Sequence, residues 1–493
     1  MTPAARDRGE LALVLHTHMP YVEGFGTWPF GEEWLWEAMA ASYLPLLDVL
    51  AQDPPLTLSL TPVLADQLAA PGIGERFLRF MTEVRRESHR IDIEGCRAGG
   101  EHVLADELER AAQDYEGAIE RFEALDRDLL SAFAPHVQWT SAATHAVLPL
   151  LATDAGARLQ IEAGVDAYRA RFGQWAGGFW LPECGHAAWL EPLLSEAGVR
   201  MTCVDLTDAF GLGAPAHLRP VSGAGPVLAP IDRQTVELVW SHHGYPSHGT
   251  YRDYHHHTVH HHQPWGIDGR PYDHRAAVAL AREHAADFVA RVQGRLDQAG
   301  RELGHPGLLV CALDTELLGH WWYEGVAWLQ GVLDEASLRG LALTRLDDAL
   351  ERCHPAPATH DLAVSTWGSP RDLSTWDGPR VAEMAWRARA AELRVVAAGP
   401  EAPEGGVREL LALQSSDWAF MVTRELAGPY PRQRADDHGR AVEASLNGGP
   451  PPAAAGGPAP AGARAGEGAA VGCRGSATRN LAVHATRAPL LAP

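Results

Sequence analysis

Short apolar runs recur through the first three-quarters of the chain, and most end at a polar residue able to do chemistry. They span 11–15 before His16, 56–60 before Thr61, 137–140, 178–181 before Glu183, 201–204 before Asp205, 236–240 before Ser241 and 308–313 before Asp314. Runs of this length are strand-sized, and segments of helical period lie between them, as at 187–197 and 272–303. Strands alternating with helices predict an α/β fold with a parallel sheet. A barrel built this way carries its active site at the C-terminal ends of the strands. Residues 79–133 are dense in Glu, Arg and Ala and predict a helical insertion. After Trp376 the pattern turns wholly helical, at 379–398 and 407–426, and after Glu425-Leu-Ala-Gly-Pro-Tyr430-Pro-Arg the final helices read as weak, as if the helical unit were cut short. From 448 to 493 the chain is Ala, Gly and Pro with few large apolar residues, so it cannot bury enough surface to offset its ordering entropy and is expected to be disordered. The organisation expected is therefore 9–365, including the insertion, then a helical domain over 366–447, then the 448–493 tail.

Composition narrows the possible partners. At 493 residues, with 46% hydrophobic and 21% charged residues, the chain is long enough for several domains of ordinary globular composition. Its 41 basic residues are all Arg, and the formal net charge of −22 repels phosphate backbones and anionic membranes. A neutral polymer meets no such penalty. No stretch approaches the ~20 apolar residues of a membrane span, and no signal-peptide pattern follows the N-terminus. The cysteines, Cys96, Cys184, Cys203, Cys311, Cys353 and Cys473, are scattered without a Cys-x-x-Cys pair. That suits reduced thiols and a cytoplasmic location.

Three segments hold the candidate chemistry. In His16-Thr-His18-Met-Pro-Tyr21, period-2 geometry turns His16 and His18 to one side, where they serve as a metal pair or as hydrogen-bonding imidazoles. Glu183 in Gly177-Gly-Phe-Trp-Leu-Pro-Glu183-Cys-Gly185 is a carboxylate among residues that read as interior; the alternative is a structural helix cap. Asp314-Thr-Glu316-Leu-Leu-Gly319-His320-Trp321-Trp322-Tyr323-Glu324 brings three acids together, and spacing alone does not choose among them. Two carboxylates at strand ends beside tryptophans are what glycosidic cleavage needs: one ionised, the other holding a proton for the leaving oxygen. Of 16 tryptophans, Trp28, Trp265, Trp367 and Trp376 lie in polar, Gly-rich loops, where aromatic faces can stack on sugar rings. The run Tyr254–His262, with six His, reads as a solvated loop of incidental metal affinity.

Together, His16-x-His18-x-Pro-Tyr, Trp-Leu-Pro-Glu183-Cys-Gly, Asp314-Thr-Glu-Leu-x-Gly-His-Trp-Trp and Ser416-Asp417-Trp-x-Phe closely resemble glycoside hydrolase family 57, most of all its α-1,4-glucan branching enzymes. The resemblance covers about residues 10–445. It implies a distorted (β/α)7 barrel with a helical insertion and a C-terminal all-helical domain. It further implies Glu183 as nucleophile, Asp314 as general acid/base, and Glu316 and Glu324 as supporting acids. Substrate contacts carried over are His16, His18, Trp28, His145, Tyr245, Arg252, Trp265, His320, Trp321, Trp367, Trp376 and Asp417. The expected substrate is an α-glucan such as amylose or a glycogen-like polymer, with no metal, organic cofactor, nucleic acid or membrane involved. Alternatives are hydrolysis or α-1,4 to α-1,4 transfer at the same site, a metal-dependent deacetylase-like barrel using His16 and His18, and an inactive glucan-binding protein.

Overall fold

In the computed structural model, which describes residues 8–26, 30–358 and 362–449, the first apolar run becomes the central strand β1 (Glu10–Thr17). The others are β2 (Thr57–Leu60), β3 (Val137–Ser141), β4 (Phe179–Trp180), β5 (Met201–Val204), β6 (Val221–Ser222), β7 (Val227–Pro230), β8 (Leu308–Asp314), β9 (Ala342–Leu343) and β10 (Ala356–Pro357). One sheet runs β4-β3-β2-β1-β8, all parallel, and β5 pairs β7 in parallel in a second. Parallel bridges Gly178↔Met201 and Ile231↔Val310 join the two sheets at both seams. The ring β1-β2-β3-β4-β5-β7-β8 is thus a distorted (β/α)7 barrel. Trp28 and the tail beyond 449 lie outside the described residues.

Side-chain alternation along the central strands decides what faces the barrel interior. Leu11, Leu13 and Leu15 of β1 and Leu309, Cys311 and Leu313 of β8 pack outward among the helices. Ala12 and Val14, with Leu308, Val310 and Ala312, pack inward with Trp139 and Trp180. Continuing that parity by one step brings His16 and Asp314 to the inward-facing positions at the strand ends, and the two are register partners. Each fully buried leucine on the outer face contributes about 1.5–3 kcal/mol, so slipping the register is strongly disfavoured.

The chain departs from the sequence reading in two places. Residues 236–240, expected as a strand, lie mostly in the helix Arg233–Val239, and the strand of that unit is β7. Val236 and Val239 are buried three residues apart, a spacing that suits a helix as well as a short apolar run. The second departure is at the C-terminus. The stretch 407–426 is two helices, Glu404–Leu413 and Ser416–Thr423, split where Ser415 takes an extended conformation. The region expected to be weak is a continuous helix, Tyr430–Leu446, whose buried face includes Arg434 and His438. His438 is hydrogen-bonded to Glu409 (2.7 Å), so polar residues form part of the interface and hydropathy hides the helix. Between β2 and β3 the chain is helical, including Arg86–Ala98 and His102–Ala124. Among the described residues no helix is long and apolar enough to cross a membrane.

Candidate active site

Glu183 follows β4 in a backbone conformation that side-chain-bearing residues seldom adopt, with φ 59° and ψ 22°, and Cys184 beside it has φ 49°. His145 is also left-handed, at φ 60°. Each such residue costs roughly 1–2 kcal/mol and persists only where its surroundings enforce it. Here the C-terminal region does the enforcing. Trp367 N–H donates to the Glu183 carbonyl (3.0 Å), Ser416 N–H donates to the His145 carbonyl (3.1 Å), and the backbones of His186 and Ser365 bond each other in both directions. The side chain of Glu183 is held from the same quarter: Trp367 Nε1 donates to Oε2 and Ser416 Oγ to Oε1, each at 3.1 Å.

Behind Ser416 runs a line of hydrogen bonds whose polarity follows from counting protons. Ser416 spends its proton on Glu183, so His145 Nδ1 must donate to Ser416 Oγ (2.9 Å). Burial, reinforced by the charge on His18, drives His16 and His145 well below the usual histidine range, which favours two neutral imidazoles. With both neutral, His145 Nε2 is an acceptor and His16 Nε2 donates to it (2.9 Å), leaving His16 Nδ1 to accept from Ser59 Oγ (3.1 Å). His18 is the opposite case. Burial opposes its protonation, but the charge and hydrogen bond of Asp417, with Glu316 and Glu183, hold it above the usual value. Its Nε2 lies 3.1 Å from both Asp417 oxygens and its Nδ1 is hydrogen-bonded with Thr61 Oγ1 (3.1 Å). The His16 ring also stacks on Trp180, 4.6 Å between centroids, and Trp180 meets Trp367 edge-on at 5.0 Å.

Asp314 ends β8 opposite His16, and its carboxyl makes no hydrogen bond with the side chains or backbone of the described residues, so it is free to reach a ligand. Burial, then the charges of Glu316, Glu183 and Asp417, push it well above the usual carboxylate range. Glu183 is raised too, by burial first and by Asp417, against the opposing hydrogen bonds from Trp367 and Ser416. Glu316 accepts from Tyr43 Oη (2.6 Å) and from His18 N–H (3.1 Å), and burial takes it to about 7. Gly319 has φ 100°, and a Cβ there would come within 1.9 Å of the Ala41 carbonyl, so the turn after Asp314 can carry only glycine at that position.

A model of glycosyl hydrolase family 57 matches residues 138–356, and one of the C-terminal domain of 1,4-alpha-glucan branching enzyme matches 398–447. The chain is 32% identical to a 1,4-alpha-glucan branching enzyme of Thermococcus kodakarensis, over 88% of this chain and 72% of that one. It is 33% identical to a probable 1,4-alpha-glucan branching enzyme of Mycobacterium tuberculosis, over 90% and 92%. The chain belongs to glycosyl hydrolase family 57. Its fold matches the crystal structure of the family 57 branching enzyme of Pyrococcus horikoshii with a TM-score of 0.82 and 30% identity, over 90% of this chain and 92% of that one.

Within this family 57 site, the structure gathers His16, His18, His145, Glu183, Trp367 and Asp417 around one locus, with Asp314 facing it from β8. Other expected contacts lie further out. Arg252 is buried against Glu107 (2.7 Å) and under the Tyr323 ring (3.6 Å), while its N–H donates to Glu324. Glu324 also accepts from Tyr272 Oη (2.6 Å), so it belongs to that outer cluster. Trp265 stacks on His256 (4.0 Å), and His320 adjoins Tyr254 and Trp321. Tyr245 donates to Asp287 (2.7 Å) and stacks on His284, and Trp376 is buried beneath Gly368. The histidine run is less solvated than expected: His260 bonds Asp92 (2.6 Å), and His262, buried, bonds Ser88 and lies 3.6 Å from the His89 ring. Among the described residues no three His, Cys, Asp or Glu side chains are grouped to hold a metal ion.

Sequence reasoning gave no role to Ser59, Thr61, Tyr43 or Ser416. Ser59 and Thr61 carried a signal, since hydroxyls on alternate positions of a buried run must find partners. Tyr43, within an apolar helical stretch, carried none.

Proposed function

We propose that this chain is a 1,4-α-glucan branching enzyme acting by double displacement with retention. Asp314, raised enough to hold a proton, protonates the glycosidic oxygen while the Glu183 carboxylate attacks the anomeric carbon. The glycosidic bond breaks and a glycosyl ester forms on Glu183. Asp314, now ionised, takes the proton of a 6-hydroxyl on another glucan chain, whose oxygen attacks the same carbon and displaces Glu183, leaving an α-1,6 branch. The observation that carries this reading is the grip on Glu183. Its backbone and both carboxylate oxygens are held by Trp367 and Ser416, and the Asp314 carboxyl is left unbonded among the described residues. A fixed nucleophile and a free acid are what the two roles require.

His16, His18, His145, Trp367 and Asp417 contact the sugar at the point of cleavage. Trp28, Tyr245, Arg252, Trp265, His320, Trp321 and Trp376 serve the glucan chain beyond it. The barrel unit spans 9–365 and the helical unit that closes on it 366–447. The polymer is amylose or glycogen-like, and the five described cysteines, all free thiols, suit a cytoplasmic setting. Incubating amylose with the purified protein and analysing its linkages tests the reading. New α-1,6 linkages well in excess of new reducing ends are expected. Reducing ends alone would mean hydrolysis, and redistributed chain lengths without α-1,6 linkages would mean α-1,4 transfer.

A further inference from the structure

Beyond Asp314 the chain turns outward and builds the wall of a cavity that Glu183 and Asp314 do not line. The cavity measures about 460 Å³ and lies between the helical insertion, the histidine-rich loop and the segment Gly319–Ala327. That is inside the roughly 300–1,000 Å³ range of small-molecule sites. Its wall includes Glu37, Arg252, Tyr254, Gln263, Trp321 and Glu324. It is tied directly to the reacting centre, because Trp321 N–H donates to the carbonyl of Glu316.

Three features define what fits there. The first is aromatic. Trp321 and Trp240, 38% and 44% exposed, stack on each other with centroids 5.7 Å apart and 28° between planes. Two large, part-exposed indoles, one at the C-terminus of the helix Arg233–Val239 and one in the turn that follows β8, form a platform for the apolar faces of sugar rings. The second is polar. The wall carries Glu37, Arg252, Tyr254, Gln263 and Glu324, a mixture of donors and acceptors. A ligand rich in hydroxyls, each both donor and acceptor, suits such a lining. The third is charge. The arginines of the wall are already met, Arg85 by Glu33 and Glu37, Arg121 by Asp48 and Arg252 by Glu107, so no free guanidinium awaits an anion. The ligand is neutral and polyhydroxylic.

We propose that this cavity, with the Trp240–Trp321 platform at its edge, binds the acceptor glucan chain that supplies the attacking 6-hydroxyl. This rests on the branching reading above and assigns its second substrate a place. Filling the acceptor side with sugar excludes the water that would otherwise intercept the glycosyl ester. The platform therefore sets the ratio of transfer to hydrolysis rather than the rate of the first cleavage.

The test is the number of α-1,6 linkages formed per reducing end released from amylose. Trp240→Ala should lower that ratio about tenfold, the equivalent of about 1.4 kcal/mol, and Trp240→Phe, which restores a ring face, should recover most of it. An unchanged ratio in Trp240→Ala, including one in which cleavage and branching fall together, overturns the proposal while leaving the catalytic reading intact. An unaltered protein that releases no reducing ends and forms no branches overturns both.

Discussion

At the scale of single residues, the site is a set of opposed protonation states arranged by burial and contact. Asp314 is raised by burial and by three neighbouring carboxylates, Glu183 is raised by burial against the pull of two donors, and His18 is raised while His16 and His145 are driven down. Groups pushed apart in this way mark acid and base roles. The arrangement predicts a pH effect of known sign. Glu316, raised by burial to about 7, is ionised above that pH, and its charge makes loss of the Asp314 proton harder. Glu316→Gln removes that charge, so Asp314 loses its proton at lower pH. The alkaline limb of the pH–rate profile should then move down by about 0.5–1 unit. An alkaline limb that stays put or moves up would remove Asp314, or its coupling to Glu316, from the account. The carboxylates were legible in sequence because each breaks a run of apolar residues. The duty of Ser416 was not, since it depends on a segment 233 residues downstream folding back onto Glu183.

At the scale of elements, period-2 alternation carries the barrel and fixes the inward turn of His16 and Asp314. The same signal fails where an apolar run is short. Residues 236–240 fit either period, and only the pairing of β7 with β5 settles which segment enters the ring. The final helix was illegible for another reason, because its buried face includes Arg434, hydrogen-bonded to His438 on the same helix, and His438, hydrogen-bonded in turn to Glu409 on another. Buried polar contacts also dock the helical region on the barrel. Glu392, fully buried on the helix Ala382–Ala398, accepts from Ala152 N–H (3.0 Å), Thr153 N–H (2.9 Å), Thr153 Oγ1 (2.7 Å) and Gln414 Nε2 (3.0 Å). It sits at the start of the helix Asp154–Phe172, where backbone N–H groups favour an anion, and Gly156 leaves room for it. Glu392→Ala strands those donors and should cost about 2–4 kcal/mol in denaturant unfolding. Glu392→Gln, which keeps one acceptor, should cost less. Equal stability in all three proteins would mean that this contact does not hold the two regions together.

At the scale of the whole molecule, chemistry and fold share one device. The barrel supplies Asp314, His16 and His18, while the C-terminal region supplies Trp367, Ser416 and Asp417. The left-handed backbones of Glu183 and His145 are fixed by hydrogen bonds that cross between the two. An acidic surface fits the same picture, since a neutral polymer is indifferent to a charge of −22 that repels nucleic acid. The central claim is that Glu183 carries the sugar between the two steps. The direct measurement uses the Asp314→Asn protein with an activated α-maltosyl fluoride, whose leaving group needs no protonation, so that the ester forms and its breakdown is slowed. Mass spectrometry of the quenched, digested protein should find the added glycosyl mass on the peptide containing Glu183. A label on Glu316 or Asp417 instead, or no covalent adduct while the fluoride is consumed, would contradict the account.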